Sequence, residues 1–206
     1  MSHGSWILNN LNSSLLLFVI VACSSPKQPL PVYGQKQINH KGEEIDYTVS
    51  DFKFLNQHNQ IVTRDKFENQ VFVADFFFTT CQTICPQMTN QLVRVQKKLK
   101  GEKFSILSHT VNPGYDTTHV LLDYAKSMGA ELSNWDFVTG DAQKIYRQAA
   151  SYQLTAIKDT TQVIPFVHSE FLVLVDKKHR IRGLYDGTDT LEVNQLIEDI
   201  QWLIQH

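Results

Sequence analysis

The stretch Val71-Phe-Val-Ala-Asp-Phe-Phe-Phe-Thr-Thr-Cys-Gln-Thr-Ile-Cys-Pro86 decides the fold of this chain. Its first eight residues are apolar except for Asp75, which is typical of a strand buried on both faces of a sheet. Pro86 suits the first turn of a helix, where its missing N–H costs no hydrogen bond. The pattern therefore predicts a strand, an exposed turn that carries Cys81 and Cys85, and then a helix.

Size and composition limit the class of protein. The chain has 206 residues, of which 19 are Lys or Arg and 21 are Asp or Glu, so its charge is nearly balanced. This length suits one domain of ordinary size plus a targeting segment. No basic block is interleaved with aromatic residues, so nucleic acid is not an expected partner.

The N-terminal sequence predicts an export signal. The first 23 residues contain no Lys, Arg, Asp or Glu, and Leu15 to Ala22 is a short apolar run. Such a run fits the core of a signal peptide and is short for a membrane span. Ile20-Val-Ala-Cys23 resembles a bacterial lipobox, which predicts lipidation of Cys23; an uncleaved N-terminal anchor is the alternative.

The chain divides into three predicted regions. Residues 1–23 form the lipoprotein-type signal or anchor, residues 24–44 a flexible linker, and residues 45–206 the folded domain. Export predicts an extracytoplasmic or periplasmic, membrane-anchored location, where a dithiol can persist in oxidised form.

Hydrophobic periodicity predicts the order of elements. The expected strands are 45–49, a hairpin within 52–62, 71–78, 104–111, 135–139, 166–175 and 181–185, and the expected helices are 86–99, one ending near 129, one from 141 to about 152 and one from 190. Asp116 or Thr117, Asp141 and Thr190 are the expected helix caps. This order predicts an α/β domain with a mixed central sheet, helices on both faces and an added N-terminal β-hairpin. A strand, turn and helix with paired cysteines resembles the thioredoxin plan, in which Asp75 is the buried acid of the strand.

The cysteine pair carries the expected chemistry. Thiols near a helix N-terminus lie in positive partial charge, which favours thiolate. Cys81 and Cys85 are close enough in sequence to form a disulfide or to bind one soft metal ion such as Cu(I) or Zn(II). An imidazole from His168 would complete a three-coordinate site. Structural zinc would need four ligands, and the chain has no second cysteine pair beyond these two and Cys23.

Two motifs together are specific for a known family. Phe76-Phe-Phe-Thr-Thr-Cys-Gln-Thr-Ile-Cys-Pro86 resembles the Phe-x-Phe-Thr-x-Cys-x-x-x-Cys-Pro signature of the Sco/SenC family. His168-Ser-Glu-Phe-Leu-Val-Leu-Val-Asp176 and Gly183-Leu-Tyr-Asp186 resemble its histidine-containing strand and the sequel.

The resemblance implies a membrane-tethered, thioredoxin-like copper protein. Its ligands to Cu(I) or Cu(II) would be Cys81, Cys85 and His168. It would deliver copper to the CuA site of cytochrome c oxidase, or keep the cysteines of that site reduced. The implied partners are the CuA-bearing oxidase subunit or another copper chaperone. The sequence departs from the family pattern at Val167 and Asn112, where many members have Asp, and both changes remove negative charge near the expected metal site.

Two other functions remain open. A thiol-disulfide oxidoreductase would cycle Cys81 and Cys85 without an obligatory metal, and a peroxidase or redox sensor is a further alternative. In either case Asp75, whose pKa burial should raise, could transfer protons during exchange or serve as a structural acid. A structural disulfide between the two cysteines also remains possible, although so short a loop stabilises little.

The remaining candidate ligands have simpler interpretations. Met88 has helical spacing with Leu92, which favours packing in the core over a role as a weak axial ligand. His109 and His119 are expected to be loop and helix-surface residues, and three further histidines are expected in solvated turns: His40, His58 and His179.

Overall fold

The structure is a computed structural model that describes Met1 and residues 29–154 and 170–206, together with the backbone of 157–158 and 166–167. The predicted lipidation site Cys23 and the predicted ligand His168 lie outside the described residues. Within the described part of the chain, no helix is both long and apolar enough to cross a membrane.

The domain contains eleven described strands, four helices and one short 3-10 turn. The strands are β1 (Gln37–Ile38), β2 (Glu44–Ile45), β3 (Lys53–Asn56), β4 (Ile61–Thr63), β5 (Val71–Phe77), β6 (Phe104–Thr110), β7 (Trp135–Thr139), β8 (Ile157–Lys158), β9 (Phe166–Val167), β10 (Phe171–Val175) and β11 (Ile181–Asp186). The helices are α1 (Ile84–Lys98), α2 (Thr118–Ser127), α3 (Ala142–Ser151) and α4 (Thr190–Gln205), and the 3-10 turn is Arg64–Phe67.

Seven strands form one mixed sheet in the order β11-β10-β5-β6-β7-β3-β4. The inner strands β5, β6 and β7 are parallel, and the other pairs are antiparallel. The hairpin of β3 and β4 extends the sheet beyond β7. The prediction of a mixed sheet with an added N-terminal hairpin is confirmed.

Alternate residues of β5 face the two helical layers, because side chains alternate along a strand. The Phe77 ring lies 5.2 Å from the ring of Tyr124 on α2. The Phe76 ring lies 5.9 Å from the ring of Tyr152, the C-cap of α3, on the opposite face. Asp75 shares the face of Phe77, because it lies two residues before it in β5. Helices α1 and α4 contact each other. Helices therefore cover both faces of the sheet, as predicted.

Some predicted boundaries are wrong. The strand expected at 45–49 is limited to Glu44–Ile45, which pairs with β1. The single strand expected at 166–175 is two strands, because β9 pairs with β8 whereas β10 pairs with β5 and β11. The last helix is capped by Asp189 rather than by Thr190, since the Asp189 side chain accepts the Leu191 N–H at 2.7 Å.

Candidate metal and thiol site

The two cysteines lie where β5 passes into α1. The backbone N–H of Cys81 donates to the Phe78 carbonyl at 3.2 Å, which closes a tight turn. Cys85 is the second residue of α1. Both are free thiols, and both are buried, with exposed fractions of 7% for Cys81 and 0% for Cys85. The predicted exposed turn is confirmed, since Thr80, Gln82 and Thr83 are exposed, but the two cysteines that it carries are buried.

The two thiols differ in acidity. Burial alone would raise the pKa of Cys81, but hydrogen bonds with the Cys85 side chain, with the backbone of Cys85 and with Thr83 outweigh it, so the pKa lies below its usual value. Burial raises the pKa of Cys85, and the hydrogen bond with Cys81 raises it further. Because thiolate is the reactive and metal-binding form, the lower pKa makes Cys81 the more readily ionised thiol of the pair.

Two hydrogen-bonded hydroxyl groups connect the first turn of α1 to α2. The Thr89 hydroxyl donates to the Cys85 carbonyl at 2.9 Å and lies 2.9 Å from the Tyr124 hydroxyl. Burial raises the pKa of Tyr124, so its hydroxyl stays protonated. The turn that holds Cys85 is thereby linked to α2.

Asp75 lies in the core beneath this turn. Its exposed fraction is 1%, and burial raises its pKa to about 7, although the hydrogen bond from Ser108 partly opposes the rise. The Trp135 Nε1–H in turn donates to the Ser108 hydroxyl at 2.8 Å. Negative charge on Asp75 contributes to the raised pKa of Cys85, which places the two groups within electrostatic reach. The predicted rise of the Asp75 pKa is confirmed, and its role in proton transfer stays a prediction.

A second buried carboxylate, Asp116, contacts the cysteine loop and was not foreseen as a site residue. Asp116 accepts hydrogen bonds from the Thr79 backbone N–H at 3.2 Å, from the Thr79 hydroxyl and from the Thr110 hydroxyl. The cap of α2 is Thr117, whose side chain accepts the Val120 N–H. An acidic residue beside a helix start is typical of a helix cap, so no local sequence pattern distinguishes Asp116 from an ordinary capping residue.

The structure brings together Cys81, Cys85 and Asp75, but it does not describe His168. No group of three or more His, Cys, Asp or Glu side chains that could hold a metal ion occurs among the described residues. Met88 is fully buried, as expected of a core residue.

The other histidines have mixed outcomes. His119 is exposed on α2, and His40 and His58 are exposed in turns, as predicted. His179 is only partly exposed, and its Nε2 is buried without a hydrogen-bond partner. The expectation that His109 is a loop residue is wrong, because it lies in β6 with no exposed surface.

His109 is part of the aromatic core on the face opposite Asp75. Its ring stacks on Phe76 at 4.5 Å, and its Nδ1 lies 3.3 Å from the Asp75 carbonyl oxygen. Burial lowers the pKa of His109 to about 3, so the ring is neutral.

Comparison with known proteins identifies the family. The family model described as SCO1/SenC matches residues 40–205. The chain belongs to the SCO1/SenC family. The family match spans the strand-and-cysteine segment, the Asp116 loop and the stretch that holds His168.

Three solved structures of this family or fold are similar to the chain. A SCO1/SenC family lipoprotein from Bacillus anthracis is 26% identical, with a TM-score of 0.71 over 76% of this chain and 95% of that one. BsSco, described as a member of the Sco family of cytochrome c oxidase assembly proteins, is 31% identical, with a TM-score of 0.69 over 77% and 94%. Bradyrhizobium japonicum ScoI with copper bound is 19% identical, with a TM-score of 0.65 over 76% and 99%, a likeness that shows the shared fold.

Proposed function

We propose that this protein is a membrane-tethered copper-binding protein that delivers copper to the CuA site of cytochrome c oxidase, or maintains the thiols of that site. Cys81, Cys85 and His168 are the proposed ligands, and the copper ion is the cargo. The CuA-bearing oxidase subunit, or another copper chaperone, is the proposed partner.

The observation that carries the proposal is the pair of free thiols at the start of α1, of which Cys81 has a lowered pKa. Two sulfur donors select soft ions such as Cu(I). Family membership supports copper as the ion, because a family structure contains bound copper, and a relative is named as an oxidase assembly protein.

The third ligand and the membrane tether rest on sequence. His168 follows directly after β9 in the chain, within the family match. Lipidation at Cys23 is supported by the relative from Bacillus anthracis that is named as a lipoprotein. An extracytoplasmic location follows from that tether.

Copper binding by the full chain tests the ligand set. Bound Cu(I) and free thiols are counted in the wild type and in the variants Cys81→Ser, Cys85→Ser and His168→Ala. We expect one copper per chain in the wild type, loss of binding in either cysteine variant, and affinity weakened by at least about tenfold in His168→Ala. His119→Ala removes an exposed histidine and is the matched control. Full copper affinity with unaltered spectra in His168→Ala would contradict the proposed site.

Delivery is tested separately with a purified CuA-bearing domain. Cu(I)-loaded protein is expected to transfer copper to the reduced apo-domain, measured as copper bound to that domain after separation, whereas the Cys81→Ser variant is not. Failure of transfer with intact copper binding would contradict delivery and leave the ligand set standing.

A thiol-disulfide oxidoreductase is the second candidate, favoured by the unequal acidity of the two thiols. A nucleophilic thiol paired with a buried partner is the arrangement used for disulfide exchange. This function needs both cysteines and no imidazole. Rapid turnover of generic disulfides by the wild type, undiminished in His168→Ala, would favour it over copper delivery.

A further inference from the structure

Asp116 is a fully buried carboxylate whose two oxygens are both used. Its Oδ1 accepts the Thr79 hydroxyl, and its Oδ2 accepts the Thr79 N–H and the Thr110 hydroxyl. A buried carboxylate is strongly unfavourable unless such donors surround it. The three donors therefore explain how Asp116 can lie in the interior, and together they form what we call the Asp116 latch.

The latch joins two loops at one edge of the sheet. β5 and β6 are parallel neighbours, so their carboxyl ends meet at the same edge. The cysteine loop follows β5, and the loop that holds Asp116 follows β6. Two of the three donors belong to Thr79, which is two residues before Cys81, whereas Thr110 is the last residue of β6. The latch therefore acts on the loop through Thr79.

The latch is closed in a structure whose cysteines are free thiols. Disulfide formation requires the two sulfurs to approach to about 2.05 Å. The two thiols already hydrogen-bond each other, so closing the remaining distance requires a small movement of Cys85 in α1 or of Cys81 in its loop. A loop tied at Thr79 resists the movement of Cys81.

We propose that Asp116 is a positioning residue that holds the cysteine loop in its dithiol geometry and so sets the balance between the dithiol and disulfide forms of Cys81 and Cys85. The inference deepens the proposed function, because only the dithiol form can bind copper through both sulfurs. In oxidation by glutathione disulfide, the two thiols give up two electrons and two protons, an S–S bond forms, and two molecules of reduced glutathione are released.

Two isosteric variants separate the latch from general packing. Thr79→Val and Thr110→Val each remove one hydroxyl donor from the same carboxylate, but only Thr79 belongs to the cysteine loop. Each metal-free full chain is equilibrated with glutathione redox buffers, and the oxidised fraction is measured by mass spectrometry after alkylation. We expect the equilibrium constant for oxidation to rise about fivefold in Thr79→Val, as for loss of one hydrogen bond, and to change less than about twofold in Thr110→Val.

A conservative variant at Thr79 and a variant of the acceptor Asp116 complete the test. Thr79→Ser keeps the hydroxyl and should return the constant to within about twofold of the wild type. Asp116→Asn weakens the acceptor itself and should shift the constant in the same direction as Thr79→Val, which tests the latch even if Thr79→Val does not fold. An unchanged or lowered constant in the folded Thr79 or Asp116 variants, or equal shifts in the two valine variants, would overturn the proposal. Because no copper is present, this outcome is independent of whether the copper function holds.

Discussion

The Ser108 hydroxyl donates a hydrogen bond of 2.5 Å to Asp75 Oδ1 from the neighbouring parallel strand. The bond stabilises the carboxylate, but burial has the larger effect and raises the pKa of Asp75 to about 7. The native protein therefore binds the Asp75 proton more tightly than the unfolded chain does. The stability that this group contributes is fully present below about pH 4 and is lost as the pH rises to 7.

We expect the Asp75→Asn variant to remove this loss. The free energy of unfolding of the variant minus that of the wild type should increase by about 2 to 4 kcal/mol as the pH rises from 4 to 8, because asparagine is neutral throughout. Urea unfolding of the reduced, metal-free protein at several pH values measures the difference. Asp65→Asn, at an exposed position, is the matched control and should follow the wild type. A constant difference between Asp75→Asn and the wild type would contradict the raised pKa.

His109 should have the opposite effect on stability. Burial lowers its pKa to about 3, so the native protein resists protonation that the unfolded chain accepts below about pH 6.5. Stability contributed by the neutral ring is present above that pH and is lost as the pH falls towards 3. In the wild type, His109 should lower the free energy of unfolding by about 3 kcal/mol as the pH falls from 6.5 to 4. We expect His109→Phe not to show this decrease.

The two opposing slopes offer an internal check. From pH 4 to 6.5 the contributions of Asp75 and His109 to the free energy of unfolding change in opposite directions and largely cancel in the wild type. With rising pH, the free energy of unfolding should therefore increase in Asp75→Asn and decrease in His109→Phe. Urea unfolding over this range distinguishes them. Slopes of the same sign in both variants would refute one of the two pKa shifts.

Alkylation should distinguish the two cysteines. Cys81 has a lowered pKa and 7% exposure, whereas Cys85 has a raised pKa and no exposed surface. Iodoacetamide should therefore modify Cys81 at least about tenfold faster at pH 7.5, because thiolate is the nucleophile. Peptide mass spectrometry at short reaction times measures both rates. Equal rates in the folded protein, with the expected equality in urea, would show that the local environment does not separate the thiols.

The sequence predicts the part of the site that depends on local pattern. The apolar strand, the cysteines and Pro86 fix the turn into α1, because each signal lies within a few residues of the others. The Asp116 latch could not be predicted, since Thr79 lies 37 residues away along the chain. The two loops meet only because β5 and β6 are adjacent.

His109 shows why an inner strand is difficult to interpret. Both faces of β6 are buried, so alternation of polar and apolar residues does not identify the inward side chains. The sequence therefore contains no signal that His109 points into the core, and a loop position is expected instead. The aromatic neighbours that enclose His109, among them Phe52 and Phe54, come from the hairpin far earlier in the chain.

Copper affinity should depend on pH if the proposed function is correct. Cys85 is protonated in the metal-free protein, since burial and Cys81 raise its pKa, so binding of Cu(I) through both sulfurs must release at least one proton. The apparent dissociation constant should therefore fall by about tenfold or more for each unit of rising pH between 5 and 8. Competition with a Cu(I) chelator of known protonation constants measures this slope. The His168→Ala variant keeps both thiols and should bind copper more weakly with a similar slope. A flat affinity in the wild type would argue against thiolate ligation by the pair.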